Sequence, residues 1–223
     1  MFRCFKVSTY SELCCRASFQ YLEKNLKYMT TGKIEEIRID LEEWPLEKFR
    51  RIPAIFNVPS WEIEMYPSMC DNFLNVMYET SNVISLHLHA DTRNRDIVCL
   101  PSEFFKSTCF QQLVHAKFEM KGNMSDEDFL SCNARSLELD CDTISDTAIN
   151  QKLRQWCKGE TTMEKFRINI LKKITSNEAV LHDCQFEAKS RTCSKIQGQG
   201  GRKGTVNFYP LPAESSSIVV FKT

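Results

Sequence analysis

The stretch SLELDCDTISDTAINQKLRQWCKG, residues 136–159, decides the fold. Asp140, Asp142 and Asp146 surround Cys141 beside a Trp-bearing segment. Two readings compete: a metal-binding or catalytic loop, or one strand–turn–helix unit of a scaffold. Leu137, Leu139 and Cys141 alternate with polar residues, the pattern of a half-buried strand. Ser145 suits a helix N-cap, and the helix dipole favours Asp146 beside it. Ile149, Leu153 and Trp156 follow at i, i+4 and i+7, one apolar stripe. Gly159 stands just past that stripe, where a left-handed stop is wanted. Each aspartate then has a structural role. Asp140 faces out of the strand, Asp142 lies in the turn and Asp146 starts the helix. The spacing and central glycine of an EF-hand loop are both missing. The stretch reads as scaffold.

The same alternation recurs on both sides of it. IEEIRIDL (34–41) places Ile37, Ile39 and Leu41 on one face, and WEIEM (61–65) does so with Trp61, Ile63 and Met65. Ile84, Leu86 and Leu88 follow in VISLHLHA (83–90), and Val114, Ala116, Phe118 and Met120 in LVHAKFEM (113–120). KFRINI (165–170) adds Phe166, Ile168 and Ile170. Counting from Ile37 to Trp61, Leu86, Val114, Leu137 and Phe166 gives steps of 24, 25, 28, 23 and 29 residues. One strand every ~20–29 residues is a leucine-rich-repeat type of period. Helical segments are predicted between strands: 70–81, with Phe73, Leu74, Met77 and Tyr78 at helical spacing, and 101–113, with Ser102 as N-cap. A third begins at Ser125, where Asp128 completes a capping-box pattern.

These features predict an α/β chain, a leucine-rich-repeat-like curved solenoid of strand–loop–helix units. Residues 1–33 are expected to form a helical N-terminal segment and 34–175 the repeat-like domain. Residues 176–223 are expected to close that domain as a β-rich cap, with strands at Thr205–Phe208 and Ile218–Phe221. A cap of this kind covers the core that a last repeat leaves open.

Composition narrows the function. Lys and Arg number 29, Asp and Glu 29, so the net charge is zero, which argues against a general nucleic-acid or anionic-membrane binder. No apolar run reaches the ~18 residues of a membrane span, and the first residues lack the apolar core of a signal peptide. The eleven cysteines are odd in number and form no CxxC pair, which fits a reduced protein of the cytoplasm or nucleus.

The run ISDTAINQKLRQWCKGETTMEKFRINI resembles the signature of the nematode F-box-associated type 2 family. Its matching positions are Ser145-Asp146, Asn150, Leu153, Trp156, Gly159 and Phe166–Ile170. GGRKGTV (200–206), SIVVF (217–221) and EEIRIDLEEW (35–44) are similar to that family as well, so the resemblance spans roughly residue 18 to the end. It implies a non-enzymatic module that selects the protein substrate of a cullin–RING ubiquitin ligase. In that family an F-box of ~40–50 residues binds the Skp-type adaptor. Residues 1–33 lack the Leu-Pro opening of an F-box, so an adaptor is not assigned from the sequence. A stand-alone binding protein uncoupled from ubiquitination is the alternative.

Strand residues opposite the buried ones form the expected partner face: Glu62, Glu64, His87, His89, His115, Lys117, Glu119, Glu138, Asp140, Arg167 and Asn169. Both charges are mixed there, which suits a protein partner. His87, His89 and His115 raise a zinc reading, but no fourth ligand is visible, and no metal or other cofactor is expected. A Cys-dependent hydrolase or transferase is a further alternative, although no cysteine sits in a protease-like signature. GQGGRKGT fails both phosphate-loop patterns and precedes a strand, so it reads as a turn. Asn123-Met124-Ser125 is a formal glycosylation sequon, unused in a reduced compartment.

Overall fold

Alternating side chains point to opposite faces of a strand, so apolar–polar alternation builds sheets with one buried face. The computed structural model describes residues 5–8, 12–15, 36–40, 60–65, 83–90, 99–170, 177–210 and 217–223. The fold is mixed α/β and rich in strands. Two compact units share the chain: Met1–Val98 with Ser107–Leu113, and Cys99–Lys106 with Val114–Thr223.

In the first unit, β1 (Phe5–Ser8) pairs antiparallel with β2 (Glu12–Cys15) and with β3 (Glu36–Asp40). Where residues 1–33 are described, at 5–8 and 12–15, they are strand and not the expected helix; the rest of that segment lies outside the described residues. Three residues separate the paired Ser8 and Glu12, a hairpin length that favours local strand pairing. β3, β4 (Ser60–Met65) and β5 (Ser85–Ala90) then pair in parallel. Ile37 lies opposite Trp61, and Trp61 opposite Leu86, in agreement with the steps counted in the sequence. Trp61, Leu86 and Leu88 are buried. Ile84 departs from expectation: it precedes β5, is 48% exposed, and Val83 is buried next to it. The helix expected over 70–81 lies outside the described residues.

The helix expected over 101–113 divides into α1 (Ser102–Lys106), in the second unit, and α2 (Thr108–Gln112), in the first. Ser107 causes the break. Its backbone is extended and its hydroxyl accepts the Phe110 N–H at 3.2 Å, so it caps α2. Ser102 is therefore the first residue of α1, not its cap.

The second unit carries the parallel strands β6 (Cys99–Leu100), β7 (His115–Gly122), β8 (Ser136–Asp140) and β9 (Lys165–Ile170). Parallel neighbours need a crossover, which α3 (Asp126–Ser131) and α4 (Asp146–Cys157) provide. Leu137 pairs with Ala116 and with Phe166, so Val114 is two residues out of the expected register. The Val114 carbonyl instead accepts the Arg135 and Ser136 N–H groups at 2.8 and 3.1 Å. Past β9 the pairing turns antiparallel, in the order β9–β13–β12–β11–β10. These strands are β10 (Phe186–Ser190), β11 (Cys193–Gln197), β12 (Lys203–Pro210) and β13 (Ser217–Lys222). The two strands expected near the C-terminus are β12 and β13, and β13 extends the sheet directly from β9.

The capping signals act as expected. Ser125 and Asp128 form the capping box of α3, and the Ser145 hydroxyl accepts the Ala148 N–H at 3.1 Å to open α4. Gly159 ends α4 with φ 77°, a conformation that costs a Cβ-bearing residue about 1–2 kcal/mol. Residues 136–159 are thus a scaffold unit, with strand, cap, apolar stripe and stop all present. Ile149, Leu153 and Trp156 are at most 1% exposed.

Within the second unit, helix ends also tie successive strand–helix segments together. Asp126, first in α3, accepts the backbone N–H and hydroxyl of Ser145 at 2.8 and 2.6 Å. Lys152 of α4 is 2% exposed, and its ammonium donates to the carbonyls of Leu130 and Cys132 at 2.9 and 2.8 Å. It thus satisfies carbonyls that the end of α3 leaves open. Asn150 does the same for α5 (Asn177–Leu181), donating to the Val180 and His182 carbonyls at 2.9 and 2.7 Å.

The glycine-rich 198–204 turn closes over Trp156. The Arg202 guanidinium lies 4.9 Å from the indole centroid, an attractive cation–π distance. A Cβ on Gly204 would stand 2.7 Å from Phe221 and 3.2 Å from Trp156, so only glycine permits this approach. Trp156 in turn meets Phe221 edge-on at 5.1 Å.

Candidate protein-interaction face

Parallel pairing in register carries the outward side chains of β7, β8 and β9 into rows. Lys117 lies opposite Glu138, and Glu138 opposite Arg167; Asp140 lies opposite Asn169. Their inward neighbours Phe118, Leu139 and Ile168 are buried, which fixes the outward face by alternation. Lys117, Glu119, Glu138, Asp140, Arg167 and Asn169 line a groove of about 300 Å³.

Three contacts organise the groove. Lys117 pairs with Glu119, Lys165 with Glu138, and the Asn169 amide donates to Asp140. Burial pushes the Asp140 carboxyl above its usual range, while the Asn169 hydrogen bond and the positive charge of Arg167 pull it back. Lys165 is an addition to the residues expected on this face, and the same alternation places it there.

The remaining candidates are distributed as follows. His115 is an exposed residue of β7 in the second unit. Glu62, His87 and His89 are half-buried residues of the first unit, with Glu62 3.9 and 4.0 Å from the two imidazoles. Glu64 belongs to β4, and its side chain lies outside the described residues. Among the described residues, no group of three or more His, Cys, Asp or Glu side chains is placed to hold a metal ion.

The cysteine chemistry has one distinctive point. A hydrogen bond from Cys184 lowers the Cys157 thiol to about 7, against the opposing effect of burial; Arg202 helps. Cys184 is correspondingly pushed up.

Among the described residues, no helix is long and apolar enough to cross a membrane. Residues 104–168 match the family model described as F-box associated. No curated protein and no solved structure matches the chain. The matched segment runs from α1 into β9 and holds every residue lining the groove except Asn169.

Proposed function

We propose that this chain is a non-enzymatic protein-binding module that selects a protein substrate for a cullin–RING ubiquitin ligase inside the cell. The observation that carries the reading is the coincidence of the F-box-associated match, 104–168, with the strands that build the polar groove. Parallel strands in register, with α3 and α4 as the crossovers that join β7, β8 and β9, support a leucine-rich-repeat-like arrangement over 34–175. The antiparallel strands of 176–223 would complete the same domain. The proposed binding residues lie on the outward strand face of each unit taken separately: Glu62, Glu64, His87 and His89 in the first, and His115, Lys117, Glu119, Glu138, Asp140, Arg167 and Asn169 in the second. Residues held in fixed register on a sheet lose little conformational entropy on binding, which favours affinity.

The test compares tagged wild-type chain with the Glu138→Ala/Arg167→Ala variant in affinity capture with quantitative mass spectrometry. Loss of a specific partner, with an unchanged unfolding transition, supports the reading. Retention of every partner removes this face as the binding surface, and a melted fold makes the two residues structural. Recovery of a Skp-type adaptor with the wild-type chain would couple the module to a ligase. Its absence beside a specific partner leaves a stand-alone binding protein.

A further inference from the structure

The charges of the groove are unequally satisfied. Lys117 and Glu119 neutralise each other, as do Lys165 and Glu138. Two charges remain. Asp140 receives a hydrogen bond only from the neutral Asn169 amide among the described residues. Arg167 is exposed and makes no hydrogen bond or ion pair among them. Burial already raises the Asp140 carboxyl, the response of a carboxylate that lacks a cation in contact.

Register fixes the separation of these two groups. Arg167 is opposite Glu138, and Asp140 is opposite Asn169, so Arg167 and Asp140 stand one strand and two residues apart. With strands ~4.8 Å apart and same-face residues ~6.6 Å apart, their Cα atoms lie about 8 Å from each other. The two form no ion pair with each other, and their spacing is close to the ~6.6–7 Å repeat of same-face side chains on any extended chain. We propose that the groove takes an extended polypeptide segment carrying one acidic and one basic side chain two residues apart, the acid on Arg167 and the base on Asp140. These two charges, which act on each other only at a distance and share no contact, are complementary to that pair, and the salt-bridged flanks contribute no net charge that would favour a uniformly acidic or basic strand. The inference rests on the reading of this face as the partner-binding surface and adds the chemistry of the segment it recognises.

Four fluorescein-labelled ten-residue peptides test it by anisotropy, differing only at two central positions separated by one threonine: Glu/Lys, Glu/Glu, Lys/Lys and Gln/Gln. The Glu/Lys peptide is expected to bind the intact chain at least about tenfold more tightly than Gln/Gln, with affinity falling as salt rises. Arg167→Glu should shift the preference to Lys/Lys, and Asp140→Lys should shift it to Glu/Glu. Arg167→Gln and Asp140→Asn, which keep the side-chain size, should each weaken Glu/Lys binding and serve where a reversal disturbs folding. Equal binding of all four peptides, no binding, or a wild-type preference for a uniformly charged peptide overturns the proposal. If that happens while the Glu138/Arg167 variant still loses its captured partner, the face remains the binding surface and only the segment's chemistry fails.

Discussion

Lys152 offers the sharpest test of how α4 holds its neighbours. The side chain is 2% exposed and has no carboxylate partner among the described residues; its ammonium serves the Leu130 and Cys132 carbonyls. Lys152→Ala removes both donors and most of the methylene stem. The Cys132 carbonyl sits in the buried bond, so leaving it without a donor costs roughly 1–3 kcal/mol. The lost stem, at about 0.8 kcal/mol for each of three methylenes, adds roughly 2 kcal/mol. Relief of a desolvated cation offsets part of this, so a net loss of about 3 kcal/mol is expected. Lys152→Met keeps the stem and removes the charge, and should cost only about 1 kcal/mol. Urea denaturation of wild type and both variants reads the difference.

The pH dependence supplies an independent check. Burial lowers the Lys152 pKa below its ordinary 10.5. Between the folded value and 10.5 the unfolded chain holds the proton and the folded chain does not, so this group makes stability rise as pH climbs through that window. The neutral amine still has two N–H groups for its two carbonyls. Wild type should therefore gain on Lys152→Met as pH approaches 10.5. Equal losses for Ala and Met, or a pH-independent difference between wild type and Met, would refute the buried-cap account.

Further outcomes concern the core and the thiols. Trp156→Ala should destabilise the protein by ~3–5 kcal/mol in the same denaturation assay. Trp156→Phe should cost less than the alanine change, because it keeps an aromatic ring against Phe221 and the buried indole N–H has no hydrogen-bond partner to lose among the described residues. Alkylation by iodoacetamide, followed site by site by mass spectrometry, should show Cys157 reacting with an inflection near pH 7, since the thiolate is the reactive form. Cys184→Ala removes the hydrogen bond and should move that inflection upward; an unchanged profile would contradict the pairing.

Much of this architecture is legible from short-range pattern. Ile37, Trp61 and Leu86 are chosen by alternation alone, and they pair in that register. The cap at Ser145, the stripe from Ile149 to Trp156 and the stop at Gly159 are local events, each set by a few residues, and they are read correctly. Where a distant group sets the outcome, pattern is insufficient. Val114 alternates with Ala116 yet lies outside β7, because its carbonyl is taken by the N–H groups of Arg135 and Ser136. Ser107 turns one expected helix into two through a hydroxyl–backbone bond that looks like an ordinary polar position.

Sequence by itself determines which side chains leave the sheet, because a period of two admits no other solution once the apolar face is buried. It therefore places Glu138, Asp140, Arg167 and Asn169 on one face without reference to any tertiary contact. Tertiary structure decides which of their charges are held in contact with an opposite charge. Lys165 reaches Glu138 from 27 residues along the chain, and Asn169 reaches Asp140 from 29. It also turns Lys152 and Asn150, polar residues of an amphipathic helix, into buried caps for two other helices. Alternation is a property of neighbours in the chain, whereas hydrogen-bond satisfaction is a property of neighbours in space. The groove's chemistry belongs to the second kind.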